Sequence, residues 1–220
     1  DPDAPAHKGI TMFLVPADSP GFKIVPYITM GSAHTTATFY DNVRVPKSAM
    51  IGELHGGWNL ITSQLNHERV SLCAAGGITN LTNEAIEWAK NERLADGRRV
   101  IDQEWVQLNL ARVRAGIEYL TLLNWKVAAL EASGAQVNPA DASSIKVFGT
   151  EFFTDAYRLL GEVLGQNAVL AHGSPAAALN ARLNRGAQGT LILTFGGGVN
   201  EIQRDLIAMF GLGMPRMPRM

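Results

Sequence analysis

The sequence predicts a mainly α-helical protein: an antiparallel helical bundle preceded by a short, incomplete run of β-strands. Three observations carry this expectation. Residues 1–52 are cut by Pro and Gly into short segments rich in strand formers. Residues 53–220 instead repeat apolar positions at alternating spacings of three and four, the mark of a helix face. The helical stretches are joined by short segments containing Gly, Asn or Pro, as in a bundle whose consecutive helices run antiparallel.

The strands come first. Residues 10–15 form an apolar run that stops at Pro16, and residues 22–26 form another, set off by Ser19-Pro20-Gly21. Residues 36–45 hold a third, with a turn or bulge expected at Asp41-Asn42. Three short strands make an incomplete sheet that needs further partners to bury its second face.

Helices follow Pro46. Trp58, Ile61, Leu65 and Leu72 lie on one face, which predicts a single helix over residues 56–91. Val106, Leu110, Val113, Ile117, Leu120, Val127 and Leu130 mark a long second helix ending near Gly134, with Asn124 as a polar interruption. Asn138-Pro139 supplies an N-cap and a first-turn proline for a third helix, and Gly165 ends it. A fourth is expected over residues 176–193, and a fifth from after Gly196, Gly197 and Gly198 to Gly211. The tail over residues 213–220 is too rich in proline to continue it.

Composition removes several function classes. With 46% apolar and 18% charged residues the chain reads as an ordinary globular protein. A net charge of -1 leaves no electrostatic footprint for nucleic acid or an anionic membrane. No apolar run is long enough to span a bilayer, and no signal peptide is evident, so a cytoplasmic protein is the expectation. The single cysteine, Cys73, excludes an internal disulfide and reads as a small buried hydrophobe. The five histidines have no metal-ligand spacing. Trp58, Trp88 and Trp125 read as core residues, and Lys146 as a helix-surface lysine.

One residue breaks the first helical stripe. Three positions beyond Leu65 lies Glu68, and four more reach Leu72. A carboxylate in an apolar row is costly unless it is paired or its pKa is raised. By periodicity alone Glu68 reads as a structural partner of Arg69, or as a half-exposed residue on a helix face that drifts. A general base working near neutral pH would need the same environment.

The segment FLVPADSPGFKIVPYITMGSAHTTATFYDNVRVPKSAMIGELHGGWNLITSQLNHERVSL resembles the β-domain exit and first long helix of acyl-CoA dehydrogenases. The likeness continues, in the family's order, through ADASSIKVFGTE, EVLGQNAVL and FGGGVNEIQRDLIAMFGLGMPR. LNHERV and GGGVNEIQRDLIA further resemble an actinobacterial branch associated with steroid side-chain degradation. The resemblance implies a partial β-barrel remnant over residues 1–52 and the family's C-terminal helical bundle over residues 53–220.

It also implies chemistry. The family uses FAD to introduce a double bond α,β to an acyl-CoA thioester. A carboxylate removes the α proton, the flavin takes the β hydride, and the electrons leave through an electron-transfer flavoprotein or a similar acceptor. Many members carry the base in an E-G-T motif before the last helix, and alignment on Ile202-Gln203-Arg204 puts Gly197 there. A minority branch, including isovaleryl-CoA dehydrogenase-like members, carries it in an E-R pair on the first long helix, which Glu68-Arg69 matches. The resemblance thus shifts the reading of Glu68 from structural to catalytic. It puts Arg69 and Gly197 beside the substrate, with a pairing or surface arginine as the plainer reading of Arg69.

For FAD it points to Arg93, Glu162, Gly165, Gln166, Val199 and Glu201. Arg93 matches a pyrophosphate-binding arginine, although Asp96 replaces an aromatic residue and puts an unfavourable negative charge beside the phosphates; Arg93 reads equally as a solvated loop arginine. Glu162, Gly165 and Gln166 match a stretch near the adenosine, where Gly165 also serves simply to end a helix. Val199 replaces a threonine, Glu201 keeps the common Gln or Glu, and the three glycines before them offer N–H groups suited to an anion or a polarised carbonyl. The implied assembly is a homo- or hetero-oligomer, a dimer or tetramer, with no nucleic acid or membrane partner. The departures at Asp96, Glu162, Gln166 and Val199 support an alternative: a non-catalytic subunit that lends fold or FAD contacts to a homologue. By itself the 220-residue chain is expected to be inactive and without tight FAD binding, since it lacks most of the family's flavin-facing sheet.

Overall fold

The computed structural model describes residues 1–29, 31 and 34–216, so the last four residues of the proline-rich tail lie outside it. The chain divides into two compact units, Asp1–His67 and Glu68–Met220.

The first unit holds two small antiparallel sheets. Strand β1 (Met12–Phe13) lies in the first apolar run, β2 (Phe22–Ile28) in the second and β3 (His34–Tyr40) in the third. β2 and β3 pair from Phe22 opposite Tyr40 to Ile28 opposite His34. Asn42 adopts φ +51, and the turn at Asp41-Asn42 ends β3 instead of lying within it. A fourth strand that the sequence did not signal, β4 (Met50–Ile51), pairs with β1. Ile24, Tyr27, Ile28, Phe39 and Tyr40 are exposed, as expected of an incomplete sheet.

The expected single helix over residues 56–91 is two: α1 (Gly57–Ser71) and α2 (Gly76–Asn91). The break brings Cys73, fully buried, against Gly149; a Cβ on that glycine would lie 2.6 Å from both Cβ and Sγ of Cys73. Gly76-Gly77 disfavours helix propagation across the same point.

Helix α3 (Glu104–Ala132) and helix α4 (Pro139–Leu164) appear as expected. Val106, Leu110, Val113, Ile117, Leu120 and Val127 are all buried. The Asn138 side chain accepts the Ala140 N–H at 2.9 Å and Gly165 caps the far end, so both termini of α4 are set by local chemistry. The contacts fix the sense of packing. Asn109 near the start of α3 bonds Glu162 near the end of α4, while Lys126 pairs with Asp141 at the opposite end. The two helices are therefore antiparallel.

The expected fourth helix is a shorter α5 (Arg182–Gly189) between two 3-10 turns, because Leu179, Asn180 and Ala181 take φ +50, +52 and +57. The fifth is α6 (Asn200–Leu206), which continues as a π turn over Ile207–Gly211. Ser143 meets Gln203 and Asn138 meets Phe210, so α6 and its extension run antiparallel to α4. Two tryptophans depart from expectation: Trp58 is 45% and Trp125 67% exposed. The apolar stripe of α3 passes through Val127, and Trp125 points away from it. Among the described residues no helix is long and apolar enough to cross a membrane, and no group of His, Cys, Asp and Glu is placed to hold a metal ion.

Candidate active site

Glu68 and Arg69 are half-buried at the C-terminal end of α1. Arg69 Nε donates to the carbonyl of Gly197 at 3.1 Å, joining residues 128 positions apart. Burial pulls the Arg69 guanidinium below its usual pKa, and the adjacent Glu68 carboxylate opposes that shift. The fold thus brings two of the residues singled out in the sequence, Arg69 and Gly197, into contact, with Glu68 next to Arg69 on α1.

The glycine turn has a defined geometry. Gly197 and Gly198 have φ of +68 and +98, a region that L side chains rarely enter. Gly196 N–H bonds Ile192 O at 2.9 Å, Gly198 N–H bonds Phe195 O at 3.1 Å, and Asn200 N–H bonds Thr194 O at 3.1 Å. The Gly197 carbonyl also accepts Gln203 Nε2 at 3.2 Å. The Gly197 N–H takes no part in the turn's hydrogen bonds among the described residues. Leu72 and the stem of Arg69 lie 3.4 and 3.5 Å from where a Gly197 Cβ would be.

Behind this turn lies a buried polar cluster that the sequence did not reveal. Lys146, read as a surface lysine, is 0% exposed. Its ammonium donates to Asn200 Oδ1 at 2.6 Å and to Thr194 O at 3.0 Å, and burial pulls it below the usual lysine pKa. Asn200 Nδ2 donates to Thr150 Oγ1 and Glu151 Oε1, each at 3.1 Å. Ser143 Oγ donates to Gln203 Oε1 at 2.8 Å. Nothing in the local sequence signals the cluster, since Ser143, Lys146 and Thr150 are each ordinary in a helix.

The residues assigned to FAD lie on three separate segments. Arg93 is exposed beside the α2–α3 connection, with Nη1 bonded to Gly97 O at 3.2 Å. Asp96, whose charge seemed unfavourable there, is held by Arg98 in an ion pair of 2.7 Å. Hydrogen bonding from Arg98 keeps that carboxyl below its usual pKa. Glu162 is engaged by Arg158 at 2.6 Å and Asn109 at 2.9 Å. Gly165 (φ +55) ends α4, and Gln166 is exposed on the following 3-10 turn. Val199 is half-buried and Glu201 exposed at the start of α6. Exposed guanidinium groups and a side-chain-free backbone at Gly165 suit a dinucleotide, while Glu162 is already committed to protein partners.

Comparison with known proteins agrees with this reading of the fold. Residues 55–212 match the family model described as acyl-CoA dehydrogenase, C-terminal domain. The chain is 51% identical over 218 residues to acyl-CoA dehydrogenase FadE26 of Mycobacterium tuberculosis, covering 98% of this chain and 54% of that protein. It is similar to a chain of the ChsE4-ChsE5 complex from Mycobacterium tuberculosis, with TM-score 0.86 and 52% identity over 96% of this chain and 55% of that one. It also resembles the Tcur3481-Tcur3483 steroid ACAD, with TM-score 0.89 and 42% identity over 99% of this chain and 55% of that chain. The chain thus spans about half the length of the relatives it matches. With its helical bundle, its glycine turn and these likenesses taken together, the chain belongs to the acyl-CoA dehydrogenase family.

Proposed function

We propose that this chain is the base-bearing half of an FAD-dependent acyl-CoA dehydrogenase and that Glu68 is the general base. The observation that carries the reading is the bond from Arg69 to Gly197 O, which ties the Glu-Arg pair to the glycine turn. In the family resemblance these are the two alternative positions of the base, and here only Glu68 has a carboxylate.

In this reading the thioester carbonyl lies against the glycine turn. There the Gly197 N–H polarises it as acidity develops at the α carbon. Glu68 takes the α proton, and the neighbouring guanidinium of Arg69 offsets the carboxylate's charge before that transfer. FAD, when bound, supplies the hydride acceptor for the β carbon. Arg93 would hold the diphosphate, and the backbone at Gly165 with Gln166, Val199 and Glu201 would contribute along the cofactor; Glu162 would contribute by orienting Arg158 and Asn109. The ion pair of Asp96 with Arg98 removes an objection to phosphate binding at Arg93. An electron-transfer flavoprotein or a similar acceptor would take up the electrons.

The substrate class follows from the company the chain keeps. The relatives reported as a steroid enzyme and as two-component complexes favour a bulky acyl-CoA and a hetero-oligomer of homologous chains. The test is Glu68→Gln in the protein that carries this chain, assayed with its homologous partner. Acyl-CoA-dependent dye reduction should fall by on the order of 10²–10⁴, with the flavin absorbance unchanged. Undiminished turnover removes Glu68 from the mechanism and leaves the alternative, a subunit that lends structure to a catalytic partner.

A further inference from the structure

We propose that Lys146 is a positioning residue that fixes the glycine turn for catalysis, by bridging the two ends of the loop that carries Gly197. This rests on the catalytic reading given above for Glu68 and Gly197. The loop leaves at Thr194 and returns at Asn200, and its ends are closed by the Asn200 N–H to Thr194 O bond at 3.1 Å. Lys146 contacts both ends at once, through Thr194 O at 3.0 Å and Asn200 Oδ1 at 2.6 Å. An apolar side chain of similar length, such as methionine, could fill the space but donates to neither acceptor.

The rest of the cluster completes the brace. Asn200 is held in its rotamer by Thr150 and Glu151, and Glu151 is in turn held by Arg204 at 2.6 Å. At the apex, Gln203 reaches Gly197 O, with its own oxygen held by Ser143. Gln203 approaches so closely that a Cβ on Gly198 would stand 2.5 Å from Nε2. Helices α4 and α6 therefore set the base and apex of the turn, and Arg69 fixes the same peptide from α1. Burying a charged amine in a bundle is costly unless it is well paired. A hydrophobic residue would serve a purely structural position more cheaply, so the geometry points to the turn as what the ammonium serves.

Lys146→Met tests this in the full chain by hydrogen exchange, which reads the turn directly and does not depend on the reaction. Loss of two charge-assisted bonds should speed exchange of the Gly196, Gly198 and Asn200 amides by on the order of 10- to 100-fold. The α3 amides of Val113, Ile117 and Leu120 should not change. No change at the turn, or an equal rise everywhere, overturns the proposal. In the complete enzyme kcat should fall by on the order of 10- to 100-fold with little change in KM. A loosened turn with unaltered kcat overturns the catalytic part. If Lys146→Met does not fold, Asn200→Ala removes one of the two anchors and should give the same selective acceleration, whose absence is equally decisive. Should Glu68→Gln leave turnover intact, the base assignment fails separately, and the exchange result alone then decides for or against the brace.

Discussion

Two glycines on one helix should respond differently to the same substitution. Gly149 and Gly161 both lie inside α4. Replacing either with Ala gains about 1 kcal/mol of helix propensity. At Gly161 the new Cβ would meet only Leu183 Cδ2 at 3.9 Å, an ordinary contact. At Gly149 it would stand 2.6 Å from both Cβ and Sγ of Cys73 and 3.4 Å from Leu120 Cδ1. The Cys73 Cβ is one bond from the backbone, so only a shift of the α1–α2 junction relieves it. Overpacking of this kind costs about 1–3 kcal/mol. Because the propensity gain is common to both variants, their difference in stability is the overpacking cost itself. In a chain of this size that separates their thermal midpoints by about 2–4 °C per kcal/mol, measured by far-ultraviolet circular dichroism. Gly161→Ala should melt above the parent and Gly149→Ala below Gly161→Ala. Equal midpoints would refute the close packing of α4 against Cys73. Cys73 lies only five residues after Glu68, so Gly149→Ala should also lower turnover more than Gly161→Ala does.

Other outcomes follow from the same geometry. Cys73 is fully buried and its thiol is pushed up to about 12, so a thiol reagent at pH 8 should label the native chain negligibly and the denatured chain once. Since the folded pKa lies above the unfolded value of about 8.5, this thiol's contribution is complete below that value and is lost as pH rises towards about 12. Denaturation curves of the parent and of Cys73→Ala should therefore converge with rising pH; parallel pH profiles would argue against a buried thiol. Gly165 at φ +55 and ψ -136 sits where only glycine is comfortable, so Gly165→Ala should cost about 1–3 kcal/mol with no flavin present. A change appearing only in the flavin-loaded protein would instead make Gly165 a cofactor contact.

Much of the bundle could be read from the sequence because its signals are local. Asn138, Pro139 and Gly165 bound α4 through bonds within a turn of the chain. The α3 stripe is set by a single period, and its members are buried together. Where the outcome depended on distant partners, the sequence was silent or misleading. Lys146 looks like any surface lysine until Thr194 and Asn200, 48 and 54 residues away, supply its acceptors. The break between α1 and α2 depends on Gly149 making room for Cys73, which no periodicity within α1 can register. Asp96 looked unfavourable for phosphate binding because its pairing with Arg98 is a property of the folded loop. Glu68 was visible as an interruption in an apolar row, but its relation to Gly197 required the Arg69 bond to be seen.

That bond also bears on why a carboxylate would sit at position 68 and not at 197. At φ +68 the Gly197 backbone disfavours any side chain with a Cβ, by about 1–2 kcal/mol for an L residue in the left-handed region. The carbonyl of the same peptide is engaged by two donors, Arg69 and Gln203, so the turn cannot readily relax to a conformation that a glutamate would accept. A glutamate at 197 would also project towards Leu72 and the stem of Arg69. On the proposed reading the turn therefore disfavours a base at 197 and leaves Glu68 on α1 for that role. Moving it back, by Glu68→Gln combined with Gly197→Glu, should not restore turnover, because the turn that Lys146, Gln203 and Arg69 hold is shaped for glycine. Recovery of activity in that double variant, followed by acyl-CoA-dependent dye reduction, would show that the turn adapts and that its present geometry does not dictate where the base stands.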